Sequence, residues 1–163
     1  MKIGTKSVLF GAHCFFIHPI FVFIAWWKLY GFPFDPRLWV AFIVHDLGYI
    51  GKPNMDGAEG ETHVELGAKI MHKMFDWKKL PESPYMNVGT GKLKNLYYNV
   101  WGNFSLYHSR FYAKKDGKNY SRLCIADKLA FCLEPIWFYM LRVNLSGEIH
   151  EYLKESEAGK YQS

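Results

Sequence analysis

The chain has 163 residues, of which 50% are hydrophobic and 18% aromatic, a composition that excludes a disordered chain and suffices for the core of one domain. Its net charge of +5 suits an anionic substrate, a nucleic acid or an acidic membrane surface, but the Lys/Arg runs typical of nucleic-acid binding are missing. Three cysteines without a Cys-x-x-Cys pair argue against a disulfide framework or a structural zinc site and favour a cytoplasmic protein.

Apolar periodicity predicts helices along the whole chain, in one all-α domain that spans residues 1–163 and has its core at about 7–143. In the first half, helices are predicted over residues 7–30, 37–47 and 61–75, with an irregular glycine-rich loop over 48–60. Pro19 is expected to bend or restart the first of these helices, and Asp35 is a candidate N-cap for the second.

The second half of the chain shows the same helical character. Helices are predicted over residues 91–112, 120–140 and 146–155, with a mobile Pro/Gly/Ser-rich loop over 79–90 and a turn over 114–118. Pro135 is expected to break the helix that contains it. No pair of alternating strands is apparent, so the predicted fold class is all-α.

An apolar N-terminal segment raises the question of membrane association. Residues 8–27 contain no Asp, Glu, Lys or Arg, and 20 such residues are enough to cross a bilayer. However, His13, His18 and Pro19 would lie within the hydrocarbon, and ionisable groups in such segments usually face a protein interior. A buried helix that contributes a metal ligand is therefore favoured, while membrane contact and a homodimer built on exposed rings of this helix stay open as alternatives.

The strongest local pattern is the doublet His45-Asp46, which ends an apolar helix and precedes a glycine loop. Imidazole and carboxylate groups both ligate divalent ions, and a helix fixes the direction of each side chain. A single His-Asp pair occurs by chance in many proteins. Its interpretation as a metal site depends on the other segments of the chain that contain ligand-type residues.

Together these segments resemble the HD superfamily of metal-dependent phosphohydrolases. His18-Pro19 and the apolar residues after it are similar to the start of the stringent-response alarmone hydrolases. The segment 62–70 (THVELGAKI) resembles the Thr-His-Pro-x-x-Gly-Ala-x-Ile/Leu segment of the HD-type cyclic-dinucleotide phosphodiesterases, which place a further histidine where His108 falls. Ala126-Asp127-Lys128-Leu129 resembles the Ala-Asp-basic-Leu segment that carries the last ligand, and all the motifs occur in order over residues 13–134.

The resemblance implies a single compact helical HD-domain-like bundle that binds one or two divalent ions, of Mn, Fe, Mg, Ni or Zn. The implied first metal site consists of His18, His45, Asp46 and Asp127. His63 and His108 would hold a second metal or contact the scissile phosphate, and Asp46 can bridge two metals. His13 is an alternative to His18, because its separation of 32 residues from His45 also falls within the family's range.

The activity implied by the resemblance is hydrolysis of a nucleotide or other small phosphorylated compound by a metal-activated water. Asp46 and Lys52 are the expected catalytic residues, since related enzymes often place a phosphate-contacting Lys in the loop after the doublet. Residues predicted to bind the anionic groups of the substrate are Lys52, Arg110, Arg122 and Lys128.

Two departures from the family leave the substrate open. The Gly-Tyr-Pro motif of the cyclic-dinucleotide enzymes is missing, and Leu47-Gly48 stand where the alarmone hydrolases have an acidic pair. A metal- or nucleotide-binding sensor without turnover is the alternative to an enzyme, since no specificity element can be identified in the sequence.

Overall fold

The computed structural model describes residues 1–55, 59–76 and 100–157, except for the side chain of Glu155. Over these residues the chain forms helices and no strand, which confirms the predicted all-α bundle. The α-helices are α1 (Ile3–Phe10), α2 (His18–Tyr30), α3 (Pro36–Val44), α4 (Val64–Phe75), α5 (Val100–Leu106), α6 (Arg110–Lys115), α7 (Arg122–Leu133), α8 (Ile136–Ser146) and α9 (Glu148–Glu157). Two 3₁₀ turns, Leu47–Tyr49 and Gly60–His63, lie between α3 and α4.

The first predicted helix is two helices in the structure. The chain leaves helical geometry at Gly11, whose backbone is extended, and re-enters it at His18. Pro19 lies in the first turn of α2, where its missing N–H has no intrahelical partner to lose, so the predicted restart is confirmed. Asp35 caps α3 as predicted, because its side chain accepts a hydrogen bond of 2.9 Å from the backbone N–H of Arg37.

The later helices lie where they are predicted, but their lengths differ from the predicted lengths. The predicted helix 91–112 lies in the described region only from residue 100, and there it is divided between α5 and α6. Ser109 causes this division, since its hydroxyl caps α6 by accepting from the backbone N–H of Tyr112. The break at Pro135 is confirmed, whereas the predicted loop 79–90 lies outside the described residues.

A ring-rich core fixes α2 against α3, α4 and α7. Its buried members are Val22, Ala25, Trp26, Ala41, Phe42, Val44, Met71, Leu123, Ala126 and Ala130. Trp26 lies at its centre, with ring centroids 5.5 Å from Phe42 and 5.9 Å from Phe104. Close packing of these helices places the end of α3, the start of α2 and the middle of α7 side by side.

The segment between α1 and α2 is held by the last two helices. Glu148 is fully buried, and its carboxylate accepts a hydrogen bond of 3.0 Å from the backbone N–H of Ala12. Arg142 is also buried and donates both to the backbone carbonyl of Gly11 and to the carboxylate of Glu134. These contacts pin the chain just before His18, so the C-terminal helices help to position that histidine.

The apolar N-terminal segment does not form a long helix. Its helical run ends at Phe10 and starts again at His18. Within the described parts of the chain, no helix combines the length and apolar character needed to span a bilayer.

Two neighbouring residues of α3 differ in burial, so substitutions at them should differ in their effect on the free energy of unfolding. Phe42 is 1% exposed and Ile43 is 43% exposed. We expect Phe42→Ala to lower the free energy of unfolding by about 3–5 kcal/mol, because it removes buried apolar contacts and leaves a cavity. The matched change Ile43→Ala should lower it by less than about 1 kcal/mol. Urea denaturation followed by circular dichroism measures both, and equal losses would contradict this description of the core.

Candidate metal centre

The structure brings together six side chains that the sequence spreads over 110 positions, from 18 to 127. His18 is the first residue of α2, and the doublet His45-Asp46 directly follows α3. His63 ends the second 3₁₀ turn and His108 follows α5, while Asp127 lies within α7. Most of these residues therefore lie at helix ends, where the backbone can turn the side chain towards a common point.

The first group consists of His18, His45, Asp46 and Asp127. His18 Nε2 lies 2.8 Å from Asp127 Oδ1 and 3.5 Å from Asp46 Oδ2. His45 Nε2 lies 3.1 Å from Asp46 Oδ2 and 3.6 Å from Asp127 Oδ1. Ligand atoms bound about 2.1 Å from one ion lie roughly 3–4 Å apart, so these four residues have the spacing of a coordination sphere.

The second group consists of Asp46, His63 and His108. Asp46 Oδ1 lies 3.7 Å from His63 Nε2 and 3.6 Å from His108 Nε2, and the two Nε2 atoms are 3.3 Å apart. Asp46 thus directs its Oδ2 atom to the first group and its Oδ1 atom to the second. One carboxylate joins the two groups, an arrangement that could hold two adjacent divalent ions.

Three of the histidines are oriented by the backbone in the same way. The Nδ1 atom of each donates to the carbonyl three residues earlier, at 3.0 Å for His45 to Phe42, 2.7 Å for His63 to Gly60 and 2.6 Å for His108 to Ser105. A carbonyl only accepts, so the proton of each neutral ring lies on Nδ1 and the lone pair lies on Nε2. Such hydrogen bonds to the outer nitrogen are typical of histidines that ligate metals.

The two groups differ in their electrostatics. Burial opposes protonation of His45, but the carboxylates of Asp46 and Asp127 outweigh it and raise the pKa of His45 to about 10. Burial and the neighbouring His108 lower the pKa of His63 to about 3. The first group therefore attracts positive charge between its two carboxylates, whereas His63 presents a neutral nitrogen.

The atoms at the centre of the first group fit a cation. His45 Nε2 and Asp46 Oδ2 are buried and have no hydrogen-bond partner among the described residues; their separation of 3.1 Å lacks hydrogen-bond alignment. Buried polar atoms are nearly always satisfied, and a bound ion is one of the few partners that would satisfy these two atoms. Mixed imidazole and carboxylate donors also suit Mn, Fe, Ni or Zn.

Both groups open into a cavity of about 500 Å³. Asp46, Asp127, His63 and His108 lie on its floor side, and its walls include the rings of Phe111, Phe131, Tyr139 and Tyr152. Two of the predicted anion-binding residues, Arg110 and Lys128, line the cavity. The cavity thus combines the candidate ligands with positive charge and aromatic surface, and its volume lies within the range of roughly 300–1,000 Å³ that is usual for small-molecule sites.

The other two predicted substrate contacts lie elsewhere. Lys52 does not line the cavity; its ammonium group donates to the hydroxyl of Thr62 and so ties the loop after the doublet to the second 3₁₀ turn. Arg122 is also outside the cavity lining, and its guanidinium group packs over the ring of Tyr30 at 5.3 Å. Each of these cations contacts a residue that is close to it only in the folded chain, Thr62 for Lys52 and Tyr30 for Arg122. Their positions in the sequence could not predict these contacts.

The structure places His18, not His13, within the first group. His13 lines the cavity from the side, with its Nδ1 atom 3.0 Å from Ser7 Oγ and 3.8 Å from Glu148 Oε2. Its spacing from the doublet fitted as well as that of His18. The two differ because His13 lies in the irregular segment after α1, whereas His18 starts α2.

Tyr49 and Gly48 also shape the site, and sequence reasoning missed their roles. The ring of Tyr49 stacks on His63 with centroids 3.9 Å apart and planes within 8°. A Cβ atom at Gly48 would overlap the backbone carbonyl of His63, so the two 3₁₀ turns touch at this point. The sequence shows that Gly48 and Tyr49 directly follow the doublet, which could have drawn attention to them. It could not predict their contacts with His63, because only the folded chain brings these residues together.

Comparison with models of known protein families finds no match for this chain. Comparisons with curated proteins and with solved structures also find no match.

The two groups predict a specific response to added metal. We expect Mn²⁺ at about a hundredfold excess over its Kd to raise the Tm of the protein by roughly 5–10 °C, because it binds the folded state alone. Asp46→Ala should abolish this shift, since it removes a donor from both groups. His63→Ala should keep the first group and reduce the retained metal by at most one ion per chain. Thermal melts and elemental analysis after desalting measure these effects.

His72→Ala is the matched control for these histidine and aspartate variants. Its side chain is 52% exposed and lies outside both groups, so metal content and Tm shift should equal those of the wild type. Wild-type metal content in Asp46→Ala would contradict the assignment of the shared carboxylate.

Proposed function

We propose that this chain is a metal-dependent phosphohydrolase that acts on a nucleotide or another small phosphorylated compound. The observation that carries the proposal is the carboxylate of Asp46, shared between two buried groups of ligands at the base of a cavity. The cations on the cavity wall, Arg110 and Lys128, add a reason to expect an anionic substrate.

The side chains of both groups would hold the divalent ions. His18, His45 and Asp127 would bind on one side of Asp46, and His63 and His108 on the other. Ions bound there would lower the pKa of a bound water and polarise a phosphoryl oxygen. The protein contributes the fixed direction of each Nε2 atom, which follows from the three hydrogen bonds to backbone carbonyls.

The wall of the cavity has the residues to bind the rest of the substrate. Arg110 starts α6 and Lys128 follows Asp127 in α7, so both are attached to elements that frame the metal centre. Their charges would neutralise phosphate oxygens that the metal ions do not contact. Phe111, Phe131 and the two tyrosines of the cavity offer apolar surface to the organic part of the substrate, as ring-lined sites commonly do.

Hydrolysis of a panel of nucleotides and phosphate esters in the presence of Mn²⁺ tests the proposal. We expect release of phosphate or of a nucleoside monophosphate from at least one member of the panel. Asp46→Ala and Asp127→Ala should each lower kcat/KM by more than about 100-fold, because each removes a metal ligand from the reacting centre. His72→Ala, at the exposed histidine, should retain wild-type activity.

Two results would contradict this function. One is activity that persists unchanged in Asp46→Ala. The other is tight retention of a nucleotide by metal-loaded protein without any product in mass spectrometry, which would instead establish a binding or sensing role.

The cavity also predicts which cations affect substrate binding. Arg110→Ala and Lys128→Ala should raise KM by about fivefold or more, since each removes a charge that faces the substrate. Arg122→Ala is the matched control, because this arginine packs on Tyr30 outside the cavity lining and should leave KM unchanged. Steady-state kinetics with the best substrate of the panel measure the three values. A larger effect at Arg122 than at Arg110 would contradict the position of the substrate.

A further inference from the structure

A surface made of large apolar side chains lies outside the lining of the cavity at the metal centre. Its members are Phe16, Ile20, Trp27, Phe32, Phe34, Trp39 and Ile43, each at least 40% exposed among the described residues. We call these seven residues the aromatic face. Single exposed apolar residues are ordinary, but contiguous patches of this kind usually mark a binding surface.

The aromatic face is continuous along α2 and α3. Phe23 connects its parts, with ring centroids 4.7 Å from Trp39, 5.7 Å from Trp27 and 5.9 Å from Phe32. At the other end, Phe16 and Ile20 border an apolar groove that Trp39 and Ile43 also line. The patch therefore extends from the start of α2 to the loop after it, over one side of the bundle.

The loop between α2 and α3 presents the most exposed ring. Phe34 is 87% exposed, yet the loop under it is well anchored. Trp39 donates from Nε1 to the carbonyl of Pro33 at 2.8 Å, and the rings of Phe32 and Phe34 lie 4.9 Å apart. Gly31 ends α2 with a φ of +87°, a value that favours glycine. The chain thus presents Phe34 outside the bundle, on a loop whose backbone is anchored by Trp39.

The elements that carry the aromatic face have a small positive net charge. Residues 18–44 contain two basic residues, Lys28 and Arg37, and one acidic residue, Asp35. The carboxylate of Asp35 is neutralised by Arg37, whose Nη2 atom lies 2.6 Å from it. Lys28, next to Trp27, is exposed. Across α2, α3 and their connecting loop, no carboxylate is left to repel an anionic surface.

We propose that the aromatic face docks onto the surface of an anionic lipid bilayer. Phenylalanine and tryptophan rings bind at the boundary between headgroups and acyl chains, and nearby lysines are attracted to anionic lipids. The exposure of Phe34 supports this role, because a ring that already lies outside the bundle enters the boundary without a change of fold. The protein would lie on the bilayer, consistent with the lack of a spanning helix in the described residues.

A second copy of the chain is the competing occupant of this surface. In a symmetric dimer the same face of each copy meets the other, so the interface would contain two copies of Lys28 and, among the described residues of the face, no acidic partner for them. An anionic bilayer supplies the charge that a second copy lacks. The charge pattern therefore favours the bilayer.

Co-sedimentation of the full chain with lipid vesicles tests the proposal. The wild type should bind vesicles of mixed phosphatidylcholine and phosphatidylglycerol more tightly than vesicles of phosphatidylcholine alone. Phe34→Ser and Trp27→Ser should each weaken this binding at least about fivefold, since each removes an apolar ring that enters the lipid. Lys28→Glu should weaken binding to the mixed vesicles and leave binding to the neutral vesicles nearly unchanged.

Trp137→Ser is the matched control, because Trp137 is 71% exposed on α8 and does not belong to the aromatic face. It should bind vesicles as the wild type does, and circular dichroism verifies that all variants are folded. The proposal is overturned if the wild type does not bind mixed vesicles, or if Trp137→Ser weakens binding as much as Trp27→Ser. It is also overturned if light scattering shows a homodimer that Phe34→Ser and Trp27→Ser dissociate.

Discussion

The fold depends on how it accommodates two carboxylates inside a helical bundle. Asp46 and Asp127 lie within reach of the same two histidines, and an uncompensated charge in such an environment is strongly unfavourable. Positive charge must therefore lie between them. The high pKa of His45 indicates that a proton can fill this role, and a divalent ion would fill it with more ligand bonds. The negative charge of the two carboxylates must be neutralised in the folded interior, and the same charge favours binding of a cation there.

Short helices suit this arrangement better than long ones would. His45 and His108 each follow the end of a helix, and His63 is the last residue of a 3₁₀ turn. In each case the Nδ1 atom of the ring donates to the carbonyl three residues earlier, and the carbonyl of Ser105 also accepts from the backbone N–H of His108 at 3.4 Å. A hydrogen bond from the Nδ1 atom to a backbone carbonyl thus sets the direction of the Nε2 atom in each of these three histidines, without help from another side chain.

Much of the fold could be predicted from the sequence, because its signals are local. Pro19, Asp35 and Pro135 act on the residues next to them, and the structure confirms each effect. The six ligand-type residues could be chosen as a set only because their motifs, in their order along the chain, resemble those of the HD superfamily. The positions of Lys52 and Arg122 could not, because a long flexible cation binds whichever partner the tertiary structure offers, here Thr62 and Tyr30. Spacing alone did not separate His13 from His18, because both separations from His45 fit and only the structure shows that His18 starts α2 while His13 lies in the irregular segment before it.

The contacts that pin the segment before His18 have a consequence for the order in which the site is completed. That segment emerges early from the ribosome, but its anchors, Arg142 and Glu148, are made more than 120 residues later. Until they are synthesised, the first histidine of the cluster lacks the support that fixes its approach to Asp46. A nascent chain therefore cannot complete this cluster of ligand-type residues before its last two helices have been made.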